Sequence, residues 1–330
     1  TKVKEFGNTN CRVGNREYLH KGKPLLVIEA DEHFASFMNY WPDIIVLTTI
    51  EADHLDYYKN IENILRSFQA YVSRLPKDGI IVANKDDKNI VRVVTSSERL
   101  IQYYASEWTA PRELRKILKV PGEYNVANAH AALTLARALG VPDKVSYEAL
   151  AAFQGTWRRF EIFPAFVKTS SGEKLSYTLV SDYGHHPTEV RVTVEAARSK
   201  WPESQLWLVF QPHQYQRTYY FFRDFSYILA RLPVDKLILA DIYDVPGREE
   251  IDITQKVSSE KLVQDIQKRK GKKLAATVVW IPTLDKIYDH LTETLKGGEV
   301  VMVMGAGSIY DLALRLTQDL TGELQKGKIE

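Results

Sequence analysis

EKLSYTLVSDYGHHPTEVRVTVEAARSKWPESQLWLVFQ, residues 173–211, decides the fold. Its first third is an apolar run closing on Asp182, its middle a helical stretch opened by Pro187, and its last third a second apolar run, Leu206–Phe210. Pro is suited to a first helical position because the N–H it lacks has no partner there. A strand, a helix and a strand in that order form a parallel crossover unit. Downstream the alternation continues: helix 217–232, strand 235–243, helix 258–270, strand 276–281, helix 284–295, strand 299–305 and helix 308–320. Upstream, 159–168 and 173–183 flank the turn TSSG and read as a hairpin. The pattern predicts a doubly wound α/β domain.

The first half reads as a separate domain of the same class. PLLVIEA (24–30) and DIIVLTTI (43–50) are short Val/Ile/Leu runs of the kind that form buried parallel strands, with GIIVANKDD (79–87) a third. Between them, apolar residues at 61, 64, 65, 68, 71, 72 and 75 recur at helical period, with Asn60 as the cap and Pro76 beyond the end. An Ala-rich helix within 121–142 and a short one over 146–153 follow. The domain boundary falls near Gly155, giving domains of 1–155 and 156–330.

Composition excludes several classes. The 330 residues are 45% hydrophobic and 26% charged, with no apolar run near the ~20 residues of a membrane span. A net charge of +2 without a basic stripe argues against nucleic acid, and the Lys-rich 268–273 and 325–330 read as solvated ends. A lone cysteine, Cys11, rules out an internal disulfide framework and fits a reducing compartment, here the cytoplasm. No signal peptide is legible, and the chain opens without Met in turn-rich sequence, which suggests a piece of something longer.

Chemistry-bearing residues gather after strands. Ile-Glu-Ala-Asp occurs twice, at 28–31 and 50–53, followed by Glu32 and His54. Glu29, Asp31, Glu32, Asp53 and His54 offer hard oxygens suited to magnesium, with one imidazole, and read as a metal or phosphate site. The rival reading is that these acids merely cap a helix, a position that favours Asp, or face water. Asp182, His185 and His186 can orient ribose, bind phosphate or shuttle protons, with zinc as the competitor. His213 and Arg217 lie after the next strand, and Arg217 suits a carboxylate or phosphate unless it is an ordinary surface Arg. Arg158 and Arg159 either solubilise a linker or reach phosphate. Asn125 and Asn128 either cap and face water or read a base edge. Gly305–Ser308 either receive an anion at a helix start or only turn the chain.

Taken in order, EADEHFASF, TTIEADHLDYY, GEYNVANAHAAL, FQGTWRRFE, SDYGHHPTEV and FQPHQYQRT resemble the Mur ligases of peptidoglycan synthesis. DYGHHPTE and FQPH resemble the alanine-adding branch and its murein-recycling relative, which attaches a tripeptide. The resemblance implies a central ATP-binding domain and a Rossmann-like C-terminal domain. It implies that Glu29 and His54 hold magnesium, Asn125 and Asn128 contact the nucleotide, Arg159 the transferred phosphoryl group, and Asp182 the ATP. His185, His213 and Arg217 would lie near the incoming amino acid and the reacting carboxyl. The implied reaction is ATP-dependent amide formation between UDP-N-acetylmuramate and L-alanine through an acyl phosphate. Tyr124 stands where a His is common, Trp157 where a Gly is usual, and Gln214 where an Arg often follows QPH, which bears on the amino acid accepted. No Gly-Lys-Ser or Gly-Lys-Thr occurs in the 330 residues. The family's P-loop and N-terminal UDP-binding domain are therefore expected outside this sequence, and the chain alone is expected to be inactive. The alternatives are a tripeptide ligase and a non-catalytic binder of nucleotide or partner.

Overall fold

The computed structural model describes residues 2–7, 9–14, 19–105, 110–168, 174–245, 251–269 and 277–324. The turn read at 169–172 and the Lys-rich 270–273 and 325–330 lie outside them. The chain divides into two compact units, 1–154 and 155–330.

In the first unit, Leu19–His20 (β1) and Lys23–Pro24 (β2) make a minimal antiparallel pair. Ile44–Leu47 (β3), Ile80–Asn84 (β4) and Leu100–Tyr104 (β5) form a parallel sheet in that spatial order. The helix Ile61–Val72 begins at Asn60, whose side chain accepts from the Asn63 N–H. Its apolar stripe packs Ile64, Leu65 and Val72 on Phe37, Ile45, Leu47 and Ile81. Each such fully buried aliphatic side chain contributes about 1.5–3 kcal/mol.

One expectation fails here. PLLVIEA is not a strand: beyond Pro24 it is irregular, with Leu26 82% and Val27 79% exposed. A Val/Ile/Leu run becomes a buried strand only where a neighbour completes its ladder and both faces are covered. Among the described residues this segment has no ladder partner beyond the β1–β2 pair. The structure also holds elements absent from the sequence reading: β5 and the short helices Leu55–Tyr58, Lys88–Val94 and Arg112–Ile117.

In the second unit, Glu161–Lys168 (β6), Lys174–Asp182 (β7), Leu206–Phe210 (β8), Lys236–Leu239 (β9), Thr277–Trp280 (β10) and Val300–Met304 (β11) form one sheet in the order β10-β9-β8-β11-β7-β6. All neighbours run parallel except the hairpin β6–β7. Every residue of β8 and β11 is buried, which is why both read as unbroken apolar runs. From β8 the chain winds outward to β10, and β11 then enters between β8 and β7. That reversal brings three carboxyl ends level, since Met304 pairs with both Asp182 and Phe210. Ligands of open α/β sheets gather at such a place.

The helix expected over 217–232 is two, Tyr215–Tyr220 and Phe222–Leu229, broken at Phe221, whose ring meets His186 edge-on at 5.0 Å.

Candidate functional site

The rim of the second unit is built from backbone outward. At the end of β7 the chain leaves the sheet through Tyr183–His186, and Pro187 occupies the first turn of the helix Pro187–Lys200. His186 accepts from the Thr188 N–H, while Glu189 accepts from the N–H groups of His185 and His186 at 2.9 and 3.1 Å, closing a capping box. Glu189 also meets Arg159 Nη1 at 3.3 Å and His185 Nδ1 at 3.6 Å. Burial pushes its carboxyl up, but His185, Arg159 and the two N–H donors outweigh that and leave it at about 2. His186 is therefore a helix cap, and Glu189, absent from the sequence reading, ties Arg159 to His185. The signal for it was Pro187 followed by an acid at the third helical position.

Asp182 is 4% exposed, and its carboxylate accepts from Gly184 N at 2.7 Å and Phe160 N at 2.8 Å. Burial dominates and pushes it up to about 6, against those donors and Arg159. Arg158 and Phe160 both adopt positive φ, 56° and 51°, which turns the chain tightly around Asp182. The Arg158 carbonyl accepts from Tyr183 N, and its guanidinium donates to the Gly305 carbonyl while lying 4.9 Å from the Tyr183 ring and 4.6 Å from that of Tyr310. Only 7% exposed, Arg158 fastens this turn to the glycine loop after β11, whereas Arg159 projects outward over the Tyr183 ring. Arg158 therefore takes neither of the two roles read for this arginine pair: it is an internal anchor, neither a solubilising linker residue nor a free phosphate ligand.

After β8, Gln211 closes the sheet by donating to the Met304 carbonyl, and its side chain accepts from Ile309 N. Gly305–Ser308 are thus packed: a Cβ on Gly307 would lie 2.3 Å from the Tyr243 ring, and one on Gly305 2.7 Å from the Gln211 carbonyl. His213 stacks on Tyr243 at 5.5 Å, lies 5.7 Å from the His185 ring, and approaches Arg217 Nη1 with its Nδ1 at 3.2 Å. Gln214, at φ 67°, faces the same guanidinium at 3.4 Å. Asp182, His185, Arg159, His213 and Arg217 therefore share one rim.

In the first unit Asn125 and Asn128 lie on the helix Glu123–Ala138. Asn125 donates to the Pro121 carbonyl at 2.6 Å, and Asn128 is exposed. Glu29 sits on the exposed run after β2. The neighbours of His54 are Glu32, its Oε1 3.4 Å from Nε2, Asp53 at 3.8 Å, and the His33 ring stacked at 4.1 Å. The Glu32 carboxyl is held below its ordinary range, first by the hydrogen bond from His54. His33, His54 and Asp56 place ligand atoms within 4.8 Å of one another. These carboxylates suit a hard divalent ion such as magnesium, and the paired imidazoles suit a borderline one.

Residues 4–136 match the Mur ligase middle domain and 158–307 the glutamate ligase domain of Mur ligases. The chain belongs to the Mur ligase family. It is 34% identical to the UDP-N-acetylmuramate–L-alanine ligase of Caldanaerobacter subterraneus subsp. tengcongensis over 94% of this chain and 66% of that protein. It is 36% identical to that of Paraburkholderia xenovorans over 94% and 68%. The chain thus spans about two thirds of the length of these relatives. Among solved structures, UDP-N-acetylmuramate-alanine ligase MurC from Thermotoga maritima has a similar fold, with a TM-score of 0.61 and 20% identity over 88% of this chain and 62% of that one. MurF ligase from the same organism, solved in complex with ADP, gives 0.58 and 16% over 88% and 65%. No helix among the described residues is long and apolar enough to cross a membrane.

Proposed function

We propose that these two units belong to an ATP-dependent ligase that joins L-alanine to the carboxyl group of UDP-N-acetylmuramate. The observation that carries this reading is the shared rim of Arg159, Asp182, His185, His213 and Arg217 at adjoining strand ends. In it, Arg159 faces outward with Glu189 fixing its direction, and is suited to the transferred phosphoryl group. Asp182, whose carboxylate is held by the Gly184 and Phe160 N–H groups, is assigned to the nucleotide. His185, His213 and Arg217 form a cationic and proton-exchanging wall for the amino acid's carboxylate and amine. Asn125 and Asn128 in the first unit are assigned to the base and ribose. Glu29 and His54 are assigned to the metal, with Glu32 and Asp53 beside His54, and the bound ion supplies charge neutralisation at the phosphates.

The test is phosphate release from ATP by the protein in its full natural length, with magnesium, UDP-N-acetylmuramate and either L-alanine or a tripeptide. L-Alanine-dependent release, lowered on the order of 10²-fold or more by Arg159→Ala or Asp182→Ala, is the expected result. Tripeptide-dependent release assigns the murein-recycling reaction instead, and near-normal turnover in both variants sinks the site. The missing Gly-Lys-Ser/Thr favours a second reading for the 330 residues alone: nucleotide binding without turnover. Phosphate release by these residues alone, lost in Asp182→Ala, would overturn that reading.

A further inference from the structure

We infer that Lys236 is an acylation site, an amine that takes the acyl group of an acyl phosphate while His290 receives its proton. The site follows from strand periodicity. Side chains alternate along a strand, so Lys236 and Ile238 share one face of β9, and Ile238 lies in the apolar core with Trp207, Val209 and Ala240. Lys236 is thus a lysine at a core-facing position, the first of its strand and directly across the ladder from Trp207. It is half-buried, with Nζ 3.8 Å over the Trp207 ring. The helix Leu284–Thr294 covers this face with Ile287 and Leu291, and places His290 Nε2 3.4 Å from Nζ. Glu299, 4% exposed just before β11, faces the same amine without pairing with it. Its Oε1 accepts from Lys296 N at 2.8 Å, and its Oε2 is buried without a hydrogen-bond partner among the described residues.

These surroundings make the amine a nucleophile. A lysine reacts as its neutral amine, and desolvation favours that form. Burial holds the Lys236 ammonium below its ordinary range, although Glu299 opposes the shift. Burial and the Lys236 charge likewise hold His290 below its ordinary range against Glu293, so at neutral pH its imidazole is uncharged and Nε2 can accept a proton. In the reaction Nζ attacks the carbonyl carbon of the acyl phosphate, the C–O bond to phosphate breaks, and phosphate leaves with the electron pair. The surplus Nζ proton passes to His290 Nε2, and an uncharged amide remains. The cluster lies at the amino ends of β8, β9 and β11, opposite the rim of Asp182 and His213, and the inference does not rest on the ligase reading.

The test incubates the 330-residue chain with acetyl phosphate at about pH 8 and follows each lysine by site-resolved mass spectrometry. We expect Lys236 to be acetylated about tenfold faster than the exposed Lys286, on the helix that carries His290, and the exposed Lys144 in the first unit. Its rate should level off at a lower pH than theirs, and its lead should vanish in urea, where burial and the neighbouring imidazole are both lost. His290→Gln should bring Lys236 back to within about twofold of Lys286, since a positioned base is worth about tenfold or more. Circular dichroism checks that this variant keeps the fold. Acetylation of Lys236 no faster than that of Lys286, or an undiminished lead in a folded His290→Gln chain, overturns the assignment.

Discussion

Asp182 and Glu189 are both buried acids on one rim, yet they are displaced in opposite directions. Glu189 is held at about 2 by His185, Arg159 and two N–H donors, although burial opposes them. The stability it contributes is present above its ordinary carboxylate range and is lost as pH falls toward 2. Asp182 has two N–H donors but no ion pair of comparable closeness, so burial takes it up to about 6. The folded chain then holds a proton that the unfolded chain has released, between about pH 4 and 6, and stability falls as pH rises through that window. The full effect is on the order of 3 kcal/mol. Asp182→Asn should remove this slope in denaturant unfolding between pH 4 and 7. It should also lower stability by about 1–3 kcal/mol, because an amide NH2 then faces one of the two N–H donors. Equal slopes in both chains would show that another group titrates there.

Among elements, legibility follows the range of the interaction that makes them. The helix Ile61–Val72 was readable because its cap and apolar stripe are local, and β8 and β11 because complete burial leaves a continuous apolar run. The helix Lys88–Val94 has only seven residues, too few for periodicity, and β5 presents Leu100 to solvent, which blurs its pattern. PLLVIEA was misread because an apolar run states a preference and a ladder partner decides it. At the site, Asp182, His185, His213 and Arg217 could be picked out because each lies at or just beyond a strand's carboxyl end. Glu189 had a local signature in the acid at the third helical position after Pro187, whereas Tyr243 and the inward turn of Arg158 depend on contacts across the fold and left none. The glycine loop after β11 gives a direct test of such a contact. Gly307→Ala would drive a methyl into the Tyr243 ring and should cost about 1–3 kcal/mol in denaturant unfolding. Most of that loss should be recovered when Tyr243→Ala is added, and two additive losses would show that the ring is not what excludes the side chain.

At the scale of the molecule, each unit carries its own apolar core, one on Phe37, Ile45 and Ile81, the other on Leu179, Val209 and Val301. Residues 155–330 expressed alone should therefore unfold in a single cooperative transition with native-like circular dichroism, and a broad, non-cooperative melt would refute that autonomy. Within this unit the strand order has a temporal meaning. The first two parallel strands, β7 and β8, flank β11 rather than each other, so the β6–β7 hairpin and the β8–β9–β10 ladder cannot be joined into one sheet while residues 300–304 are still being synthesised. Asp182 and His213 leave the ribosome early and wait for their common neighbour. A ladder closed over so long a stretch of chain is slow to form, and until it closes the apolar edges of β7 and β8 are open to wrong pairings. The last strand into the sheet is thus the one that turns two separate strand ends into one rim.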